Sequence, residues 1–337
     1  MNDLLTAVLV VAGLVAALVA ALMAGLVWFT WRTSRRVEAA FPPQGQWLDL
    51  PGARLHVVDK GPTVPLSAGQ QAPVVLLIHG LGGQMANFTY GVVDRLAMHC
   101  RVIAIDRPGA GYSVRHPGAS AALGAQADVM AALIDAMQLG RPVVVGHSLG
   151  GAIALTLAQR HPGKVAALAL VSPLTQMPKA VSTAFNGLMI SSPALRRLVA
   201  WTLALPATIA KRDAVLALVF GPESVPADFG TRGGGLLGVR PSHFIGASTD
   251  LAAVEQDLLT VISGYGDMRL PVSVLYGRSD QVLSAVEQGQ GLADVLPGAQ
   301  LVLVDGGHML PVTQAARTAE FISAVVYQVH PESTNAT

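Results

Sequence analysis

The residues best suited to chemistry are Gly146-His147-Ser148-Leu149-Gly150, which fit the spacing G-x-S-x-G. A β-branched run at Val143 to Val145 precedes this motif and an Ala-rich run at Ala152 to Gln159 follows it, which predicts a strand, a turn and a helix. Such a turn is too tight for side chains at the flanking positions, and it leaves the serine hydroxyl exposed at its tip. We therefore predict that Ser148 is a nucleophile. The alternative is a simple glycine-rich connection between a strand and a helix.

Two further polar residues follow the last two predicted strands. Asp280 comes after the strand Pro271 to Tyr276, and His308 lies in a glycine-containing loop after the strand Leu301 to Val304. Because the carboxyl ends of parallel strands meet at one edge of a sheet, we expect both side chains to lie beside Ser148. A nucleophile, an acid and a histidine in this chain order predict a catalytic triad. Taken singly, Asp280 would be a turn or helix cap and His308 a surface histidine.

A second glycine-rich loop, His79-Gly80-Leu81-Gly82-Gly83, follows the predicted strand Val74 to Ile78. Glycines after a strand can hold a phosphate, but the Lys-Ser/Thr of a P-loop and the G-x-G-x-x-G spacing are both missing. Backbone N–H groups in a loop with little side-chain bulk can instead stabilise a tetrahedral oxyanion. We expect the N–H groups of Leu81 and Leu149 to be the oxyanion donors. The residues expected to support the two loops are His79, Gly80, Gly82, Gly146 and Gly150.

The composition restricts the classes of function. The chain has 337 residues, enough for one large α/β domain with an inserted lid or an anchor. Its formal net charge is +1, so no strong field attracts nucleic acid. The single cysteine, Cys100, excludes an internal disulfide and a multi-thiolate metal site. We expect a small-molecule acyl substrate, with no metal, no organic cofactor and no nucleic-acid partner.

The N-terminal segment from Leu4 to Phe29 carries no charge and is long enough for a helix that crosses a bilayer. Arg32, Arg35 and Arg36 follow it, so the positive-inside rule places the catalytic domain in the cytoplasm. The alternative is a signal peptide whose cleavage allows export, but basic residues before the run and an A-x-A-like site within it are lacking. We predict an uncleaved, single-pass anchor. Small residues at every fourth position could let two such helices form a homodimer, or could reflect Ala richness alone.

The α/β alternation of the chain has one long interruption. The predicted units are the anchor and its basic flank at 1–36, a linker at 37–46, an α/β core at 47–173 and 269–329, a helical lid at 174–268 and a disordered tail at 330–337. The apolar lid helices could line an acyl pocket, touch a bilayer or only pack on the core. His56 and the lid residue His243 are given no role. An Asp106–Arg107 pair is expected to brace a turn.

Five motifs together resemble those of the α/β-hydrolase superfamily, in its branch of lidded serine hydrolases. They are H-G-L-G-G at 79–83, D-R-P-G-A-G-Y-S at 106–113, G-H-S-L-G-G at 146–151, G-R-S-D at 277–280 and G-G-H at 306–308. The resemblance covers about Trp47 to Val329 and implies a mostly parallel, eight-stranded sheet with helices on both faces. Epoxide hydrolases and haloalkane dehalogenases of this fold use Asp where this chain has Ser148, so they resemble it less.

The expected function is a membrane-anchored, esterase- or lipase-like serine hydrolase. It would cleave carboxylic esters, apolar or lipid-like in their acyl part, through an acyl-enzyme on Ser148. The same triad could instead serve a carbon–carbon bond hydrolase that acts on ring-cleavage diketones. Such an enzyme would not need a membrane anchor. A third hypothesis is a non-catalytic binding protein of the same fold, against which the intact set of triad residues argues.

Overall fold

One sheet runs through the part of the chain that the structure, a computed structural model, describes: residues 2–65, 71–179 and 182–331. Its strands are β1 (Gln46–Leu50), β2 (Ala53–Lys60), β3 (Val74–Ile78), β4 (Arg101–Ile105), β5 (Val114–Arg115), β6 (Val143–His147), β7 (Ala167–Val171), β8 (Val272–Gly277) and β9 (Gln300–Val304). The strand order is β1-β2-β4-β3-β6-β7-β8-β9, and the two-residue β5 pairs with β2. Both β1 and β2 pair antiparallel, whereas every pairing from β4 to β9 along this order is parallel. The predicted mostly parallel sheet is confirmed, with β5 added to its eight strands.

Helices pack on this sheet and extend beyond it. They are α1 (Asn2–Ala40), α2 (Ala86–Thr89), α3 (Val92–Leu96), α4 (Leu123–Ala136), α5 (Leu149–Arg160), α6 (Pro193–Trp201), α7 (Ala204–Phe220), α8 (Pro241–Ser263), α9 (Gly291–Val295), α10 (Leu310–Thr313) and α11 (Ala315–Val329). Short 3-10 helices lie at Pro162–Lys164, Thr183–Leu188, Gly235–Val239 and Tyr265–Asp267, and a π-helix lies at Ala285–Gln290.

The central strands β3 and β7 are uninterrupted aliphatic runs, because both faces of the sheet are covered. In β3, Leu76 and Ile78 pack into one buried cluster with residues of α4 and α5. Val75 and Leu77 pack into a second cluster with residues of α3 and α11. This division follows from the opposite directions of successive side chains in a strand. The resulting three layers hold the carboxyl ends of the parallel strands at one edge, where the predicted site residues lie.

The N-terminal helix α1 is longer than the sequence pattern predicts. It continues to Ala40, four residues into the segment predicted to be a linker, and β1 begins at Gln46, so only residues 41–45 connect the two. The last turn is held by the protein body, because the Glu38 carboxylate lies 3.6 Å from the Arg240 guanidinium. Residues 3–22 are exposed on all sides, whereas Thr30 and Ser34 are buried. Among the described residues, α1 is the helix that is long and apolar enough to span a membrane.

The lid segment, residues 174–268, contains α6, α7 and α8. Helix α6 ends at Trp201, and α7 begins at Ala204 with Pro206 in its first turn, where a helix tolerates proline. Helix α8 begins at Pro241, and a proline suits the first helical position. Of the predicted tail, residues 332–337 lie outside the described residues.

Candidate active site

Ser148 lies between the last residue of β6 and the first residue of α5, at the predicted strand–turn–helix junction. Its backbone has φ 54° and ψ −121°, a strained conformation for a residue other than glycine. A Cβ at Gly146 would lie 2.4 Å from the carbonyl oxygen of Gly150, and a Cβ at Gly150 would lie 2.1 Å from that of Ile78. Glycine is therefore required at both positions, as the motif predicts for a nucleophile on a sharp turn.

Asp280 and His308 form a buried hydrogen-bonded pair after β8 and β9. The Nδ1–H of His308 donates to Oδ2 of Asp280 at 2.7 Å. The other oxygen, Oδ1, accepts the backbone N–H groups of Val282 at 2.8 Å and Leu283 at 2.9 Å. Because a carboxylate only accepts, it fixes the proton on Nδ1 and leaves Nε2 of His308 as the basic atom. This is the orientation that a general base for a serine requires.

His147, the residue before Ser148, positions His308. Its Nε2–H donates to the His308 carbonyl oxygen at 3.0 Å, and the two ring centroids are 4.9 Å apart. Burial, with the neighbouring charge of His308 as the second cause, lowers the pKa of His147 to about 3. The ring is therefore neutral and holds the His308 loop close to Ser148. Sequence reasoning missed this role, because the second position of G-x-S-x-G, where His147 stands, accepts many residue types.

The loop predicted to form an oxyanion hole passes directly over Ser148. A Cβ at Gly80 would lie 2.8 Å from Cβ of Ser148. Leu81 and Leu149 line one cavity together with Ser148, so the structure brings both predicted donor residues beside Ser148. The N–H of Leu149 also lies at the start of α5, where backbone donors are free and the helix dipole favours negative charge.

His79 is completely buried and braces this loop. Its Nδ1–H donates to the Gly80 carbonyl oxygen at 2.9 Å, and its Nε2 accepts the backbone N–H of Arg107 at 2.9 Å. Burial first, and the Arg107 charge second, hold the pKa of His79 well below its usual 6.5, so the ring stays neutral. His243, which was given no role, lies on the other side of the loop, with Nε2 3.9 Å from the position that a Cβ at Gly82 would occupy.

The expected Asp106–Arg107 pair is not formed, because each side chain has other partners. The Asp106 carboxylate accepts from Nδ1 of His56 at 2.8 Å and from the backbone N–H groups of Met85 and Tyr112, both at 2.9 Å. His56, which was given no role, is a strand residue and a buried partner of this carboxylate. The Arg107 guanidinium instead donates to the oxyanion loop. Both residues still brace their turns, but through contacts distant in sequence.

A lid carboxylate also supports the His308 loop. Oε2 of Glu223 accepts the backbone N–H of Gly307 at 2.7 Å, and Oε1 accepts from the Gln314 side chain at 3.0 Å. Thr313 adds a third donor, its hydroxyl, at 3.1 Å. The lid therefore contributes directly to the position of the loop that carries the predicted base, which no sequence motif indicates.

A cavity of about 290 Å³ opens beside Ser148. Its lining is mainly apolar and comes from the lid and from the segments after β3, β6, β7 and β8: Leu81, Leu149, Leu174, Met177, Pro178, Phe185, Met189, Ile190, Leu251, Ala252, Val254, Val282 and Leu283, with Ser182, Ser191 and Glu255 as polar members. Glu255 is the one charged residue among the described residues of this lining. Within the described ranges, no three His, Cys, Asp or Glu side chains are grouped so that they could hold a metal ion.

Comparisons with known proteins agree with this geometry. The model of the alpha/beta hydrolase fold family matches residues 73–315. An uncharacterized protein of Mycobacterium tuberculosis is 31% identical over 294 residues, covering 83% of this chain and 80% of that protein. A 2-hydroxymuconate semialdehyde hydrolase of Pseudomonas sp. (strain CF600) is 35% identical over 133 residues, covering 39% of this chain and 44% of the relative.

Two solved structures show the same fold at low sequence identity. A membrane phospholipase A, described as a bacterial virulence factor, superposes with a TM-score of 0.62 at 22% identity, covering 98% of this chain and 99% of that one. A thermophilic esterase from Thermogutta terrifontis has a TM-score of 0.61 at 22% identity, covering 85% of this chain and 100% of that one. From the family match and these structures, the chain is a hydrolase that belongs to the α/β-hydrolase fold family.

Proposed function

We propose that this protein is a membrane-anchored serine hydrolase that cleaves carboxylic esters with apolar acyl groups. The observation that carries the proposal is the buried Asp280–His308 hydrogen bond at the sheet edge that also presents Ser148 on its strained turn. A non-catalytic binding protein would have no need for a strained serine or for a carboxylate that fixes an imidazole tautomer.

The reaction follows from the positions of these groups. Ser148 Oγ attacks the ester carbonyl carbon while Nε2 of His308 takes its proton, and Asp280 stabilises the imidazolium that forms. The N–H groups of Leu81 and Leu149 stabilise the oxyanion. When the tetrahedral intermediate collapses, His308 protonates the leaving alkoxide, and the acyl group remains on Ser148. A water molecule deprotonated by His308 then hydrolyses this acyl-enzyme and regenerates the serine.

The lining of the cavity favours esters with apolar acyl groups over ring-cleavage products as substrates. Dienoate ring-cleavage products carry carboxylates, which require a cation or several donors when they are removed from water. None of the described lining residues is basic, and Glu255 would repel a carboxylate. The phospholipase and esterase of the same fold point to esters as well. The match to a semialdehyde hydrolase, over 39% of the chain, keeps carbon–carbon hydrolysis as the second candidate.

The contacts of α1 support an anchor rather than a cleaved signal peptide. The freely exposed part, residues 3–22, is about 30 Å of helix, which equals the hydrocarbon thickness of a bilayer. The following turns bury Thr30 and Ser34, and Glu38 lies beside Arg240. Signal-peptide cleavage would remove a helix that is part of the packed protein. The three arginines after the span favour a cytoplasmic catalytic domain. Pairing of two anchors through their small residues is a further prediction.

The exposed part of the cavity lining supports an entrance near this anchor. Met189 and Ser191 line the cavity and are exposed, and α6, which begins two residues later at Pro193, packs against α1. Leu195 and Leu198 lie one turn apart on α6, and each is 50% exposed. An apolar entrance beside a membrane helix suits a substrate that partitions into lipid.

The test is turnover by the full-length protein in detergent micelles, with Ser148→Ala as the control. A series of chromogenic esters from acetate to palmitate is compared with a dienoate ring-cleavage product. We expect ester cleavage that depends on Ser148 and increases beyond the shortest acyl groups. Efficient cleavage of the dienoate with little ester turnover would instead establish the carbon–carbon hydrolase.

The anchor is tested separately by deleting residues 2–22. We expect the full-length protein to stay with membranes after an alkaline carbonate wash and the shortened protein to be released. Release of the full-length protein, or a mature N-terminus beyond residue 30, would contradict the anchor.

A further inference from the structure

The peptide between Gly80 and Leu81 is held by several donors on one side. The carbonyl oxygen of Gly80 accepts from Nδ1 of His79 at 2.9 Å, from the guanidinium of Arg107 at 3.0 Å and from the backbone N–H of Gly83 at 3.2 Å. The N–H of the same peptide belongs to Leu81, the donor expected to face the oxyanion. The carbonyl contacts therefore act on the catalytic N–H through one rigid peptide plane.

This arrangement determines where the Leu81 N–H points. In a trans peptide the C=O and N–H bonds point in opposite directions, so a carbonyl held toward Arg107 directs the N–H away from it. Leu81 and Ser148 line the cavity together, and that is where the N–H must point to meet an oxyanion. Donors on a carbonyl also polarise its peptide, which makes the attached N–H a stronger donor.

Arg107 is itself held by the lid. Its Nη1 donates to Oδ2 of Asp250 on α8 at 2.6 Å, and Nε donates to the His79 carbonyl oxygen at 2.9 Å. Oδ1 of Asp250 accepts from Arg115 at 2.6 Å. The Arg107 and Asp250 side chains are only 1% and 2% exposed. A buried ion pair contributes little net stability, because both charges lose their hydration.

We propose that Asp250 and Arg107 are positioning residues of the oxyanion hole and that they make the hole dependent on the lid. Asp250 holds the Arg107 guanidinium, the guanidinium holds the Gly80 carbonyl, and the peptide plane sets the direction of the Leu81 N–H. When α8 moves away from the core, Arg107 loses its counter-ion and keeps only the neutral Gln126 side chain, at 2.9 Å, beside its two carbonyl partners, so the donor is held less firmly. The oxyanion hole is then fully formed only while α8 packs against the core. This inference rests on the proposed role of Leu81.

The first variant is Asp250→Asn, which keeps the size of the side chain and removes its charge. The second is Arg107→Lys, whose single ammonium cannot span the carbonyl oxygens of His79 and Gly80 as well as Asp250. The matched control is Asp257→Asn, because Asp257 lies on the same helix and its carboxylate accepts the N–H of Gly124 at 3.0 Å, away from the oxyanion loop.

Two readouts separate positioning from support of the fold. One compares an ester with its thionoester, whose sulfur accepts hydrogen bonds poorly and gains little from an oxyanion hole. The other is the second-order rate of reaction with a fluorophosphonate, which needs the same donors but no particular substrate. We expect Asp250→Asn and Arg107→Lys to lower kcat by about 10- to 100-fold with little change in KM. The preference for the ester over the thionoester and the fluorophosphonate rate should fall together with kcat. The Asp257→Asn control should match the wild type in all three measurements.

The inference is overturned if the variants lose only thermal stability while the thionoester preference and the fluorophosphonate rate stay at wild-type values. If neither variant unfolds cooperatively, Arg115→Met, which removes the second partner of Asp250, takes their place with the same readouts. A wild-type protein that reacts with fluorophosphonate but hydrolyses no ester refutes the proposed function alone, because the fluorophosphonate rates still test the positioning. A wild-type protein that does not react refutes both.

Discussion

Substitution of Gly80 by alanine tests how tightly the oxyanion loop lies over the nucleophile. The new Cβ would be 2.8 Å from Cβ of Ser148 and 3.3 Å from both Nδ1 and the carbonyl oxygen of His147. Carbon atoms pack at about 3.5 to 4.0 Å, so the loop must retreat by about 1 Å. A misplacement of that size costs about 100-fold in rate, which corresponds to about 2.7 kcal/mol in the activation free energy.

The assay is kcat and KM on a soluble ester, together with thermal unfolding. We expect the loss in kcat, because the displaced Leu81 N–H acts on the transition state, and a modest loss of stability from overpacking, about 1 to 3 kcal/mol. Gly163→Ala is the matched control, since a Cβ at Gly163 would meet nothing within 4 Å. A Gly80→Ala protein with wild-type kcat would show that the loop does not depend on this close approach, and the assigned oxyanion hole would be wrong.

Three further predictions concern the triad, the buried histidines and the cysteine. Asp280→Asn should lower kcat by about 1,000- to 10,000-fold with KM nearly unchanged, because the amide favours the wrong imidazole tautomer; steady-state kinetics beside Ser148→Ala will measure this. Burial lowers the pKa of His147 to about 3 and of His243 to about 4, and holds that of His79 well below 6.5. Below pH 6.5 the unfolded chain therefore binds protons that the folded chain does not. Each group should remove about 1.4 kcal/mol of unfolding free energy per pH unit as the pH falls toward its folded pKa. Urea unfolding at pH 7 and pH 5 will test this, and His243→Gln should reduce the slope; a stability independent of pH in this range would contradict it. Burial raises the pKa of the Cys100 thiol to about 11, so iodoacetamide at pH 8 should modify it only after denaturation, and rapid labelling of the native protein would contradict this.

Local patterns predicted the positions of the candidate triad residues, because each lies at the end of a strand. The residue order along the chain then placed Ser148, Asp280 and His308 at one sheet edge, since the topology of parallel strands brings their carboxyl ends together. The aliphatic runs in β3 and at Val143 to Val145 of β6 were equally clear, because a strand covered on both faces is mostly apolar.

Long-range polar contacts could not be predicted in the same way. Arg107 meets Asp250 across 143 positions, and His56 meets Asp106 across 50. Hydrophobic periodicity indicates which face of an element is buried, but it does not indicate which buried polar side chains meet. The C-terminal end of α1 was predicted too early for the same reason. Its last turn is held by Arg240 of the lid rather than by a local capping signal.

The central claim is that Ser148 is an activated nucleophile served by His308. It is tested most directly by reacting the full-length protein with a fluorophosphonate and locating the adduct by peptide mass spectrometry. We expect one adduct, on Ser148, which is absent from Ser148→Ala and strongly slowed in His308→Ala. A folded wild-type protein that forms no adduct, or one that carries it on another residue, would contradict the account.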